Sequence, residues 1–155
     1  GHRRILHIAG PATSSEANSR LRGYQRAMAE AGLEEQIIQG DWTSETGYRL
    51  GVELNFDQKA PTAIFTANDH LALGLIKALS GRAISVPEDV SLVGFDDLPH
   101  SAFTLPPLTT VRQSIYEVGA SAAQALFELM QGKIPAVSQI PAELVVREST
   151  RIHRR

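Results

Sequence analysis

The spacing of apolar and polar positions changes period several times along this chain, and each change marks an element. Ile5-Leu-His-Ile8 is a short, mostly apolar run that ends in Ala9-Gly-Pro11 and reads as a strand. Thr13-Ser-Ser-Glu16 then offers a capping box, after which Ala17, Leu21, Tyr24, Met28 and Ala31 recur at helical spacing until Gly32 stops the helix. The alternation repeats twice. Gln36-Ile-Ile-Gln39 is a second strand, followed by a helix that opens near Thr43 or Ser44 and carries Tyr48, Gly51, Val52 and Leu54. Pro61 introduces a third strand, Thr62-Ala-Ile-Phe-Thr66, and Asn68-Asp69 caps a helix striped by Leu71, Leu75, Ile76 and Leu79. Leu73 widens that stripe, which predicts burial on more than one side and a subunit interface at this helix.

The longest informative stretch is Val86-Pro-Glu-Asp-Val-Ser-Leu-Val-Gly-Phe-Asp-Asp97. Val90, Leu92, Val93 and Phe95 predict a buried strand in the middle of a sheet, with Gly94 permitting close approach and Asp96 and Asp97 at its carboxyl end. Leu98 to Phe103 reads as a short turn or helix and Leu105 to Gln113 as an extended crossing segment. A long helix from about Ser114 to Gln131 follows, with Ile115, Val118, Ala122, Leu126 and Leu129 on one face and Gly132 as its stop. Ile140 to Arg147 is a last strand. Strand and helix in this order predict an α/β fold: an open, mostly parallel sheet with helices on both faces.

In such a sheet the loops after the first four strands open on one edge, where ligands bind. That edge collects the Ser14 to Arg20 region, Asp41-Trp42, Asn68-Asp69 and Asp96-Asp97. A cationic Arg20, the carboxylates of Asp69 and Asp96, the Asn68 amide and the flat Trp42 ring suit a small polyhydroxylated or heterocyclic ligand. Trp42, the only tryptophan, sits at a strand-to-helix junction where burial is difficult, so its indole is expected to face a ligand.

Composition narrows the alternatives. The 155 residues are 43% hydrophobic and 21% charged, enough for one packed domain, and the formal net charge of −2 gives no electrostatic reason for nucleic-acid or membrane binding. The basic ends, His2-Arg-Arg4 and Arg147 with Arg151 to Arg155, read as solvated tails. Without cysteine there is no disulfide, thiolate metal site or Cys nucleophile. No apolar run reaches membrane-spanning length and no signal peptide opens the chain, so a soluble cytoplasmic protein is expected. A start at Gly1 without an initiator Met implies a processed or excised piece. Neither phosphate-loop nor dinucleotide motifs occur, and His100, Ser101 and Asp96 lack the nucleophile-elbow motif of a hydrolase. The five histidines lack metal-ligand spacing. The enzymatic rival is a Mg-dependent phosphoryl-transfer or receiver-like domain using Asp41, Asp69 and Asp96, disfavoured because the loop after the first strand supplies Glu16 and no Asp. The expectation is a binding protein with no cofactor, no metal and no catalytic activity.

Several motifs carry a resemblance. Gly1-His-Arg-Arg-Ile, Ala9-Gly-Pro11, Arg20-Leu-Arg-Gly-Tyr24, Gly40-Asp-Trp42, Ala67-Asn-Asp69, the Val86 to Asp97 stretch, Pro106-Pro-Leu-Thr-Thr-Val-Arg-Gln113 and Glu143-Leu-Val-Val-Arg-Glu-Ser149 resemble the LacI/GalR family of bacterial transcription regulators, in order and over nearly the whole chain. The resemblance implies the carboxyl-terminal lobe of an effector-binding domain like that of type I periplasmic binding proteins, here a single fragment over 1–155. It implies that Arg20 and Asp96 hydrogen-bond the effector, that Trp42 stacks on it, and that Asn68 and the Ser14 region add contacts. Asn18, where many relatives carry Arg, and the acidic Glu16 are departures that bear on the ligand's identity. The implied partners are a sugar or related polyol, less readily a nucleobase; a second copy of the chain in a homodimer or higher oligomer; and operator DNA only through an amino-terminal domain outside these residues. A periplasmic sugar receptor is the other binding-protein reading. The helix at 114–131 would pack on the other lobe in the intact protein, and without it is expected to expose Ile115, Val118, Leu126 and Leu129 and to fold back or pair between chains.

Overall fold

The computed structural model describes residues 1–136 and 139–153. Strands β1 (Ile5–Ala9), β2 (Gln36–Gln39), β3 (Ala63–Thr66), β4 (Ser91–Asp96), β5 (Thr109–Arg112) and β6 (Glu143–Val145) form one sheet in the order β2-β1-β3-β4-β5-β6. All neighbouring pairs are parallel except β5 with β6. Helices α1 (Ser15–Glu30), α2 (Ser44–Glu53) and α3 (Asp69–Gly81) connect the first four strands, and α4 (Ile115–Met130) lies between β5 and β6. The fold is therefore the open, mostly parallel α/β sheet that the periodicity predicts, with the last strand shorter than Ile140 to Arg147 and reversed.

Register assigns the two faces. His7 pairs with Phe65, and on the opposite face Leu6, Ile8, Ile64 and Leu92 point toward α2 and α3. Those four residues pack with Leu50 of α2 and with Leu71, Leu75 and Leu79 of α3, all almost fully buried. Burial of each such side chain contributes about 1.5–3 kcal/mol, so this layer dominates the stability of the lobe. On the other face α1 contributes Ala17, Tyr24 and Met28, and the His7 ring lies between Tyr24 and Phe65 with centroids 5.1 and 4.7 Å away.

The second buried side of α3 has a cause within the chain. A Cβ at Gly74 would overlap the Ser44 carbonyl, and one at Gly47 would overlap the Leu71 carbonyl, so the backbones of α2 and α3 are in contact. Helix α2 covers the wide apolar stripe around Leu71 and Leu75, whereas Leu73, the residue behind the expected subunit interface, stays partly exposed.

Helix α4 buries no residue. Ile115, Val118, Leu126 and Leu129 are 70%, 49%, 59% and 57% exposed, so the helix stands away from the lobe and does not fold back on it. Arg154 and Arg155 of the basic carboxyl end lie outside the described residues.

Candidate functional site

Parallel pairing of β1 to β4 puts their carboxyl ends, and the loops at 10–14, 40–43, 67–68 and 97–98, on one edge. Arg20 reaches that edge from the second turn of α1. Its Nη1 donates to the Ala67 carbonyl at 2.6 Å, and its Nη2 donates to Asp96 Oδ1 at 3.0 Å. The guanidinium also lies 4.0 Å from the Phe95 ring centroid and 5.3 Å from that of Trp42. Gln113 Nε2 donates to the same Asp96 oxygen at 3.0 Å. Burial pushes the Asp96 carboxyl above its usual range; the Arg20 charge opposes this and the nearby Asp69 charge adds to it.

Between α1 and the exposed part of the sheet lies an open cavity of about 540 Å³. Arg20 and Gln113 supply its polar wall, Ser19 and Glu16 its mouth, and Tyr24, Phe65 and Phe95 its apolar floor. Mostly apolar walls with a few convergent donors and acceptors make a small-ligand site. Phe65, Phe95, Tyr24 and Gln113 carry no ligand role in the sequence pattern, which places Phe65 and Phe95 in strands, Tyr24 on the apolar face of a helix and Gln113 at the end of an extended segment. Their signal is positional: Phe65 pairs with Val93, so Phe95 lies two residues nearer the carboxyl edge on the same face.

The other expected site residues are placed differently. Ser14 is the N-cap of α1; its Oγ accepts from Ala17 N at 3.1 Å and donates to Glu16 at 2.7 Å. Asn68 is buried and caps α3 through Leu71 N at 2.9 Å, while its Nδ2 donates to the Trp42 carbonyl at 3.0 Å. Neither lines the cavity, although Asn68 fixes the backbone of Trp42. Trp42 is half-buried, packed on the core and on Gly10, where a Cβ would come within 2.6 Å of the indole. Burial at that junction is possible because Gly10 leaves room for the ring.

Asp69 is a correction. It is fully buried, and it accepts from Leu98 N at 2.9 Å and from the Ser101 and Thr110 hydroxyls at 2.6 Å each. A Cβ at Gly94 would overlap its Oδ1, so the close approach that Gly94 permits is that of Asp69. This carboxylate ties β4, β5 and the 3-10 turn Pro99–Phe103 together and faces no ligand. Ser101 donates to Asp69 and to no histidine, which rules out the hydrolase arrangement. Asp41 is engaged by Thr43 and Thr46, and among the described residues no three metal-ligating side chains cluster. No helix among them is long and apolar enough to cross a membrane.

A family model for a periplasmic binding protein-like domain matches residues 1–150. The HTH-type transcriptional repressor PurR of Pasteurella multocida is 39% identical over 156 residues, covering 97% of this chain and 47% of its own length. A regulatory protein of the LacI family from Chloroflexus aggregans superposes with a TM-score of 0.89 at 35% identity, over 99% of this chain and 57% of that one. The lac repressor dimer bound to operator and the anti-inducer ONPF superposes with a TM-score of 0.86 at 31% identity, over 97% of this chain and 53% of that one. The chain spans about half the length of the curated relatives it matches.

Proposed function

This chain belongs to the LacI/GalR family of transcriptional regulators and carries their periplasmic binding protein-like domain, and from that membership we propose that it senses a small effector for a cytoplasmic repressor. It is not an enzyme. The observation that carries the proposal is the Arg20–Asp96 pair, a donor and an acceptor held 3.0 Å apart beside the Phe95 ring; Arg20 lines the cavity, and Asp96 stands behind it, bonded to the lining residues Arg20 and Gln113. A ligand bearing vicinal hydroxyls, or a ring edge with adjacent donor and acceptor, satisfies both. Gln113, able to donate and accept, completes the set.

A sugar or related polyol is the proposed ligand class, its apolar ring face resting on aromatic side chains. The ring floor of Tyr24, Phe65 and Phe95 favours a flat nucleobase as the second reading. Trp42, the sole indole, reports on either: galactose, glucose 6-phosphate, hypoxanthine and guanosine are titrated into the protein and fluorescence is followed. Saturable change with one class, lost in Arg20→Ala, supports the reading. A folded protein that answers none of them, alone or as the intact regulator, overturns it.

Effector binding regulates DNA only if it binds two lobe geometries with different affinity. Operator contact is assigned to a segment outside this sequence. A second copy is the proposed protein partner, with Phe103 and Leu105, 85% and 87% exposed, at the interface; sedimentation of Phe103→Glu against the parent tests it.

A further inference from the structure

Two consecutive aspartates at the end of β4 grip two consecutive residues on the strand that leads to α4. Asp96 holds Gln113 at 3.0 Å, and Asp97 Oδ2 accepts from Arg112 Nε at 2.6 Å. Through Oδ1, Asp97 also accepts from Arg147 Nη2 at 2.6 Å, just past β6 on the segment that returns from α4. Arg147 is itself fixed, its Nη1 donating to the Leu108 carbonyl at 2.7 Å and its backbone N–H to Thr109 Oγ1 at 2.9 Å. Glu143 adds only an exposed 3.4 Å contact to Arg112. Both legs of the α4 excursion thus converge on one carboxylate whose side chain is 9% exposed.

The backbone is shaped for this. Asp96 has φ of +111° and Asp97 +53°, a strained pair of conformations that persists only where the surroundings over-determine it. Here the surroundings are Arg20, Gln113, Arg112 and Arg147, bonded to the two carboxylates. Because α4 buries no residue, its direction is set at this junction.

We propose that Asp97 is a positioning residue that couples the ligand site to α4, clamping both connecting strands while its neighbour Asp96 exchanges Gln113 for ligand. The exchange half rests on the reading of Asp96 given above; the clamp half does not. A ligand hydroxyl competes with the neutral Gln113 amide for Asp96. The two arginine pairs on Asp97 are charge-assisted on both sides and are the stronger bonds, so they hold. With one of two adjacent tethers released, the exit of β5 turns about the other.

The test uses residues 1–155, whose lack of cysteine allows clean labelling. Spin labels at Arg22→Cys on α1 and Ala123→Cys on α4, both exposed, give a distance distribution by double electron–electron resonance. Asp97→Asn should about double its width relative to the labelled parent, and Glu143→Gln should leave it unchanged. Arg112→Gln, cutting one leg at a half-exposed side chain, should broaden it less and serves if Asp97→Asn fails to fold by circular dichroism. Gln113→Leu, which mimics release at Asp96 without any ligand, should shift the mean distance, and the shift should blur when Asp97→Asn is added. A folded Arg112→Gln or Asp97→Asn variant with the parent's width overturns the clamp, and so does a parent that is already as broad. An unshifted Gln113→Leu distribution overturns the coupling to Asp96. The Trp42 titration fails or succeeds independently, so loss of the ligand reading is told apart from loss of the clamp.

Discussion

Arg20 and Asp96 meet at 3.0 Å across the carboxyl edge of the sheet, one from α1 and the other from the end of β4, with side chains 12% and 28% exposed. Neither charge is fully hydrated, and each keeps bonding capacity beyond this pair. Arg20→Ala and Asp96→Ala should each weaken binding of the ligand identified by titration by about 10- to 100-fold, since a hydrogen bond to a charged group contributes about 1.5–3 kcal/mol. Isothermal calorimetry checks this, with circular dichroism to show that the fold survives. An effect below threefold in both variants would remove the pair from the site.

The same burial gives Asp96 a characteristic pH dependence. Its folded pKa lies above the usual 3.8, so the folded state binds its proton more tightly than the unfolded chain does. Stability from this group is fully present below 3.8 and is lost as pH rises through the folded value. Asp96→Asn cannot lose it. The difference in melting temperature between Asp96→Asn and the parent should therefore grow in the variant's favour from pH 3 to pH 6; a constant difference refutes the shift.

Asp69 should matter to stability and not directly to ligand contact. Its carboxylate is buried with three donors at 2.6–2.9 Å, and truncation to Ala leaves the Ser101 and Thr110 hydroxyls and Leu98 N–H without their acceptor. Leaving these three buried donors unpaired costs about 3 kcal/mol or more, at about 1–3 kcal/mol each. Urea unfolding of Asp69→Ala should show a loss of that size. Thr110→Val, which removes one donor, should cost about 1–3 kcal/mol.

How much of this is legible from the sequence depends on range. The three strand-helix repeats are local patterns, and so is the cap at Asn68, three residues from its partner Leu71; the capping box at Thr13–Glu16 announces the start of α1, but the N-cap is Ser14, one residue later. Arg20 and Asp96 are found by placing loops on one edge, a consequence of topology alone. Ser14 is spent locally, on Ala17 and Glu16, but the other misplaced residues depend on contacts distant in sequence. Asp69 bonds Ser101 and Thr110, 32 and 41 residues away, and nothing near it announces that its carboxylate is spent. Trp42 looks exposed until Gly10, from another loop, proves to be the platform for its ring. The cover that α2 gives to α3 is equally hidden, because the glycines that admit it, Gly47 and Gly51, read as ordinary helix positions.

Those glycines make a packing prediction. The α2–α3 crossing brings backbone against backbone at Gly74, where a side chain would collide with Ser44 O and Tyr48 N. Backbone cannot yield as a flexible side chain does, so Gly74→Val should destabilise by about 1–3 kcal/mol or more. Chemical denaturation should show this loss, whereas Gly23→Ala in α1, with open space around it, should be neutral or stabilising by about 0.5–1 kcal/mol.

The last prediction joins stability to the cavity floor through His7. Its Nδ1 donates to the Phe65 carbonyl at 3.0 Å, which fixes the tautomer and leaves Nε2 a buried acceptor without a partner. Burial holds its pKa below the usual 6.5, with the Phe65 hydrogen bond opposing. The folded state therefore binds fewer protons than the unfolded chain, and stability is full above 6.5 and lost as pH falls toward the folded value. His2 shifts in the same direction, so a residual slope remains without His7. Between pH 7.5 and 5.5 the urea midpoint of the parent should fall, and that of His7→Phe should fall less. Because Tyr24 and Phe65 sandwich His7 and also line the cavity, a charge there presses on the floor of the ligand site. Ligand affinity should weaken over the same pH range in the parent and be flatter in His7→Phe. If the stability slope flattens and the affinity slope does not, His7 acts on the core alone.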